Sequence, residues 1–415
     1  MLPNLRWISS AIILAGLTGP ACADVITDWN EKAVAFVTAR SMLPPQAERV
    51  MAAVHLAMFD AVNSIDHRYL PYAVQLPAAK DTSKDAAAAA AAAAVLTALH
   101  PNAADEIKAA LAAYLATMPS GTATADGIKL GAAVAMKIVA ARANDGSNAP
   151  DAYRPKTTPG VYVPTPITAS SMWPNVTPFA MTSPSQFRPQ PPIPLQGEEW
   201  AADYNEIKSL GGKTSPARSA RQTEDGHFWL MTGPVSYYPI ARQLVAAKKM
   251  DVIDSARFMA LASTAVSDAF IAVFDAKYHY DFWRPITAIR NGDIDGNSAT
   301  DLDPTWQPIA NTPMHPEYPC AHCISSAAIA TVIEAVCGGA DIPEVTMTSP
   351  TAPGVTHRWS NIWAYADEVA MARIYAGFHY RFSTRVGQDM GRKIGRYVVD
   401  KTLRPAAVAD AAPSR

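Results

Sequence analysis

Apolar residues recur three and four positions apart in one segment after another of this 415-residue chain, and that period commits it to packed helices. Gln46 to Asn63 carries it, Ala86 to Leu99 is an alanine-rich stretch stopped by His100-Pro101, and Ala103 to Thr117 and Gly127 to Asn144 continue it. Alanine is the best helix former and the run contains neither Gly nor Ser, so it reads as a helix and not as a flexible linker. The pattern returns at Glu198 to Leu210, Ser219 to Met231, Pro239 to Tyr278, Ile324 to Val336 before Gly338-Gly339, and Trp359 to Ala376 before Gly377. Strand-like alternation is scarce and no repeat of fixed period occurs. The expected class is all-α, a single helical bundle over residues 24–415. Residues 149–197 break the pattern with many prolines, Arg188-Pro189-Gln190-Pro191-Pro192 among them, and are expected to form a long irregular excursion over a site or around the surface.

The first 23 residues have the layout of a secretory signal: Arg6 near the start, an apolar run from Trp7 to Leu17, and Ala21-Cys22-Ala23 as a cleavage site. A lipid anchor on Cys22 is the alternative. The signal implies a periplasmic or secreted protein whose mature chain begins at Asp24. No later segment offers the roughly 18 uninterrupted apolar residues of a membrane span. With 17% charged residues and a net charge of −2, the chain has no long-range basic field for nucleic acid. Any positive charge that matters is local.

Such local charge lies between Lys277 and His379. Lys277-Tyr-His-Tyr-Asp-Phe-Trp-Arg284-Pro285, Pro319-Cys320-Ala321-His322 and Arg373-Ile-Tyr-Ala-Gly-Phe-His379 supply three cations and two histidines. Lys277 and Arg284 are two helical turns apart, with Pro285 placing Arg284 at a helix end. Arg373 and His379 come together if the helix stops at Gly377 and the chain turns back. Cys320, Ala321 and His322 precede a helix, so their N–H groups and the positive end of its dipole would face an anion. Singly, each feature is ordinary: a lysine and arginine two turns apart usually mark a solvated face, and a histidine after proline is usually structural. In conjunction they make a binding site for a tetrahedral oxyanion.

The order K-x6-R-P, P-S-G-H, R-x5-H resembles the signature of the vanadium-dependent haloperoxidases and the type 2 phosphatidic acid phosphatases. The flanks are closer to the haloperoxidase branch: Phe228-Trp229, Gly233-Pro234, Asp275-Ala276-Lys277, His315-Pro316-Glu317-Tyr318-Pro319 and the Met51 to Asn63 segment. The resemblance implies an all-helical fold holding vanadate, with His379 as the ligand to vanadium. Lys277, Arg284 and Arg373 would neutralise its oxygens, the Ala321 N–H would add a hydrogen bond, and His322 would be the acid–base group. Hydrogen peroxide and halide would be the substrates, with Lys277 polarising the peroxide and His315 standing where bromide-oxidising relatives carry a histidine. In the phosphatase branch the same cradle holds the phosphate of an ester, with His379 as nucleophile and His322 as acid. A non-catalytic oxyanion binder is a third reading.

The departures from the pattern are specific. The family's serine is Cys320, a weaker donor, and its glycine is Ala321. The aspartate that follows the nucleophilic histidine by four residues in the phosphatases is Ser383, which leans against hydrolysis, a reading that would revive if Asp225, Asp268 or Asp281 oriented a site histidine. Without Cys22 the chain keeps Cys320, Cys323 and Cys337, and Cys337 lies some 20 Å along a helix from Cys323 at about 1.5 Å per residue. Cys320 and Cys323 are therefore the pair able to join, and disulfide, thiol pair and redox centre all remain open. Dimers would be unsurprising.

Overall fold

The computed structural model describes residues 24–164 and 167–406; the signal segment lies outside the described residues. Helices dominate, with α1 (Val25–Ala39), α2 (Pro44–Asp66), α3 (Lys84–Leu99), α4 (Ala104–Leu115) and α5 (Thr122–Ala141) forming the first half. Then come α6 (Glu198–Leu210), α7 (Ala220–Phe228), α8 (Tyr238–Ala247), α9 (Val252–Tyr280), α10 (Pro285–Arg290) and α11 (Ala321–Cys337). A hairpin of β1 (Asp341–Ser349) and β2 (Ala352–Asn361) leads into α12 (Ile362–Tyr375) and α13 (Arg381–Lys401).

The bundle is organised around α9, which packs on α2, α11 and α13, while α2 in turn packs on α3 and α3 on α5. Ser83 caps α3 by accepting from the Ala86 N–H, and Ala86 to Ala93 are all buried, so the alanine run is a tightly packed core helix. On α13, Gly387, Gly391 and Gly395 face α11. A Cβ at these positions would come within 2.7, 2.3 and 2.7 Å of the carbonyl oxygens of Cys320, Ile324 and Ala328, so glycine lets these two helices meet backbone to backbone. Among the described residues α9 is long and apolar enough to cross a membrane by length and composition, but it is enclosed by its neighbours and carries the buried Asp268, Asp275 and Lys277.

Three boundaries differ from expectation. The Pro239 to Tyr278 pattern is two helices, because the chain turns through Lys249 at φ 50° and Asp251 starts a new helix by capping the Asp254 N–H. The Trp359 to Ala376 pattern begins inside β2; Asn361 accepts from the Trp363 and Ala364 N–H groups and starts α12 there. Register shifts at both ends of the hairpin break its period-two alternation, so no strand signal survives in the sequence. The Ser219 to Met231 helix stops at Phe228.

The proline-rich excursion is tied to α9. Asp268 accepts from the Phe179, Ala180 and Met181 N–H groups at 2.6, 2.8 and 2.8 Å. Arg188 grips Asp275 through two hydrogen bonds of 2.8 Å. Further along, the Ala169 N–H donates to the Met314 carbonyl at 2.6 Å, so the excursion both wraps the surface and reaches the site.

Candidate active site

Each cradle residue owes its position to a helix end. Lys277 lies in the last turn of α9, which closes on Asp281 at φ 53°. Arg284 follows in extended conformation, held out of the helix by Pro285, and is the N-cap of α10. Ala321 and His322 occupy the first turn of α11 and Arg373 the last turn of α12. Gly377 then reverses the chain at φ 79°, where a side chain would meet the Gly211 carbonyl at 2.4 Å, and returns His379 toward Arg373. The expected turn is present.

Lys277, Arg284 and Arg373 are 0, 1 and 2% exposed. The lysine ammonium donates to the Pro316 and Glu317 carbonyls at 2.8 and 2.7 Å. Arg284 donates to the His315 carbonyl at 2.8 Å, to the Phe378 carbonyl at 3.0 Å, to His315 Nδ1 at 3.0 Å and to His379 Nε2 at 3.3 Å. One Arg373 Nη donates to the Trp229 carbonyl, while its buried Nε has no partner among the described residues. None of the three pairs with a carboxylate among the described residues at ion-pair distance; the negative charge Lys277 and Arg284 feel is that of Glu317.

Burial, reinforced by the neighbouring guanidiniums, holds Lys277 well below the ordinary lysine range. Burial brings Arg284 down to about 10 and Arg373 to about 9, the latter with Arg284 adding to the effect. Three buried basic groups against one carboxylate give a formal charge of +2, and a buried excess charge costs several kcal/mol per ion. A dianion restores neutrality. The unpartnered Arg373 Nε and the converging donors therefore fit a tetrahedral oxyanion, vanadate or phosphate.

His379 carries the other half of the site. Its Nδ1 lies 2.7 Å from Glu317 Oε1, which also accepts from the Tyr380 N–H at 3.2 Å. An acceptor at Nδ1 and a donor, Arg284, at Nε2 fix the tautomer: Nδ1–H points to Glu317 and the Nε2 lone pair faces the cradle. Burial, then the three cations, hold the His379 pKa well below the usual imidazole range, so the ring is neutral and available as ligand or nucleophile. Burial pushes Glu317 up to about 7, with Lys277, Arg284 and the Tyr380 N–H drawing it back. Glu317 is what the residue-by-residue sequence reading missed. Its signal was its place in the His315-Pro316-Glu317 flank, a lone carboxylate beside a cation cluster. Asp225, Asp268 and Asp281 touch no site histidine; they bind Arg221, the excursion backbone and Tyr153 instead.

A cavity of about 440 Å³ leads to the cradle, lined by His315, Ala321, His322, Arg373, Phe378 and His379 and walled by Phe270, Phe274, Leu43 and Pro44. His322 Nε2 lies 3.1 Å from the Met231 carbonyl, which makes it the protonated nitrogen and leaves Nδ1 as acceptor. Burial, then Arg373, lowers its pKa well below the usual range.

Cys320 departs from expectation. It forms a disulfide with Cys323, accepts the Cys323 N–H at 3.2 Å as N-cap of α11, and is buried with Ala370 outside the cavity lining. Its sulfur has no proton to give an anion. From that stretch, Ala321 and His322 reach the cavity.

Residues 257–407 match the VCPO second helical-bundle domain. The vanadium chloroperoxidase of Curvularia inaequalis is 24% identical over 277 residues, 50% of this chain and 45% of that protein, so the match spans under half of the relative's length. A bacterial vanadium-dependent iodoperoxidase superposes with a TM-score of 0.80 at 23% identity, covering 93% of this chain and 99% of that one. The apo-type bacterial vanadium-dependent chloroperoxidase gives 0.68 at 16% identity over 86% of this chain and 94% of its own. The chain shares its helical-bundle fold with these vanadium-dependent haloperoxidases, and the stretch that matches their family domain, residues 257–407, contains Lys277, Arg284, Arg373 and His379.

Proposed function

We propose that this chain is a vanadate-dependent peroxidase that oxidises halide, bromide preferentially, with hydrogen peroxide. The observation that carries the reading is a cradle of three buried cations facing His379, whose Nδ1 is held by Glu317 and whose Nε2 lone pair points into the cradle beside Arg284. Vanadate held there supplies a Lewis-acidic centre that makes peroxide electrophilic toward halide. Lys277, Arg284 and Arg373 offset the charge of its oxygens, and the Ala321 N–H at the start of α11 adds a donor backed by the helix dipole. Glu317 holds the Nδ1 proton of His379 and raises the basicity of Nε2. His322, neutral and acceptor at Nδ1, takes up a proton from incoming peroxide. His315, fixed by Arg284, borders the same cavity and supports bromide as the favoured halide. The Cys320–Cys323 disulfide suits a periplasmic or secreted protein.

Phosphoester hydrolysis is the second reading, and Glu317 is the observation that favours it: the carboxylate absent at Ser383 is supplied from position 317. The purified mature chain, freed of phosphate, is assayed for bromide oxidation with and without orthovanadate, and for phosphomonoester hydrolysis, beside His379→Ala. Vanadate-dependent bromination that disappears in the variant is the expected result. Vanadate-inhibited hydrolysis assigns the chain to the phosphatases, and silence in both assays overturns the catalytic reading.

A further inference from the structure

A second cluster of ionisable groups lies on the other side of Trp229 from the cradle. Glu224 and Asp225 sit on α7, His357 on β2 and Glu368 on α12. His357 is 2% exposed and stacks flat on Phe228, with ring centroids 3.8 Å apart and planes 5° apart, while Trp359 closes on it edge-on. Its ring is fixed, and so is its tautomer. Glu368 Oε1 lies 2.6 Å from Nδ1, and the same carboxylate accepts from the indole N–H groups of Trp229 at 3.0 Å and Trp359 at 3.2 Å. A carboxylate so fully engaged is an acceptor, so Nδ1 keeps its proton and Nε2 is the nitrogen left to face Glu224 and Asp225.

That nitrogen is buried, has no hydrogen-bond partner among the described residues and faces two carboxylates. Nε2 lies 3.5 Å from Glu224 Oε1 and 3.9 Å from Asp225 Oδ1, too far for good hydrogen bonds, and the three ligand atoms fall within 4.8 Å of one another. Two atoms bound about 2.0–2.1 Å from a tetrahedral ion are themselves roughly 3.3–3.5 Å apart. Three such ligand atoms facing one another repel unless a proton or a metal cation sits between them. The carboxylate–histidine pair behind Nε2 is the arrangement that orients an imidazole for a metal. One group competes: Arg221, 57% exposed, reaches Asp225 Oδ1 at 2.8 Å, Glu224 Oε1 at 3.0 Å and Glu368 Oε2 at 3.6 Å, covering the carboxylates from outside without touching Nε2.

We propose that Glu224, Asp225 and His357 bind a divalent transition cation of the zinc class, oriented by Glu368, that clips α7 to the hairpin and to α12. One imidazole with two carboxylates is a mixed nitrogen–oxygen set suited to such an ion. Glu224, with a side chain 37% exposed, closes over the ion, and Arg221 swings outward.

Zinc titrated calorimetrically into the chelator-treated chain tests this, with the visible spectrum of bound cobalt(II) as a second readout. One zinc per chain is expected, with a tetrahedral cobalt(II) spectrum. Affinity should fall on the order of tenfold to a hundredfold in Glu224→Gln and at least as far in His357→Gln. It should be retained in His379→Ala, which separates this site from the cradle. Glu224→Gln alters a side chain at the surface, so it remains decisive if His357→Gln fails to fold. Arg221→Gln should tighten zinc by removing the competing guanidinium. Absence of zinc binding at millimolar concentration, binding unchanged in Glu224→Gln, or an Arg221→Gln variant that loses stability and gains no zinc affinity would each overturn the proposal, leaving the guanidinium as the natural occupant.

Discussion

Replacing Glu317 by glutamine isolates what the carboxylate does for His379. The side chain keeps its shape, and its amide oxygen can still accept from His379 Nδ1 and the Tyr380 N–H, at 2.7 and 3.2 Å in the parent. What disappears is the negative charge, with two opposed consequences. The cradle's formal charge goes from +2 to +3, and the loss of one like charge favours each negative charge on a bound anion, whichever anion it is. Every oxyanion gains from that. Nε2 also loses the basicity a carboxylate-backed imidazole has, and removing such a partner costs about 10–100-fold in metal affinity, or about 1.4–2.7 kcal/mol. Only an anion bonded to Nε2 suffers that loss. The vanadate-to-phosphate affinity ratio therefore cancels the common Coulomb term and should drop about 10–100-fold in Glu317→Gln. Equilibrium dialysis of each anion against parent and variant measures it. A ratio unchanged between the two proteins would refute the claim that Glu317 acts through His379, and would reduce it to a counter-charge for Lys277 and Arg284.

Two further outcomes test the interior. Glu48 is fully buried with one hydrogen bond, from the Tyr238 hydroxyl at 2.8 Å, and burial pushes its carboxyl from 4.5 up to about 8. The folded state therefore holds a proton that the unfolded chain releases in this window, so this group's contribution falls by a few kcal/mol as pH rises from about 4.5 to 8. Urea unfolding at pH 6 and 8.5 should show that loss in the parent and not in Glu48→Gln; equal slopes would contradict it. The double variant Cys320→Ser, Cys323→Ala loses a disulfide across so short a loop, worth about 2 kcal/mol, and gains a hydroxyl N-cap for α11 worth about 1 kcal/mol. Stability should fall by only about 1 kcal/mol and phosphate affinity should stay within a few-fold, because the Cys320 sulfur does not line the cavity. A much larger change in anion affinity would show that position 320 reaches the cradle after all.

The site was legible in the sequence wherever a residue type acts alone, and illegible where two residues share a role across the chain. Arg284 announces itself by Pro285, and His379 by Gly377, because proline and glycine fix where a helix ends whatever surrounds them. The hairpin left no such mark: its bulged register scatters buried positions, and a period-two search cannot see it. The orienting carboxylate was hidden for a related reason. Counting four residues beyond His379 leads to Ser383, whereas the interaction needs only an oxygen 2.7 Å from Nδ1, whichever strand of chain brings it. Tertiary structure brings Glu317 there from 62 residues upstream. Ser383 argued against a supported histidine only because the count along the chain looked for the carboxylate on the wrong segment.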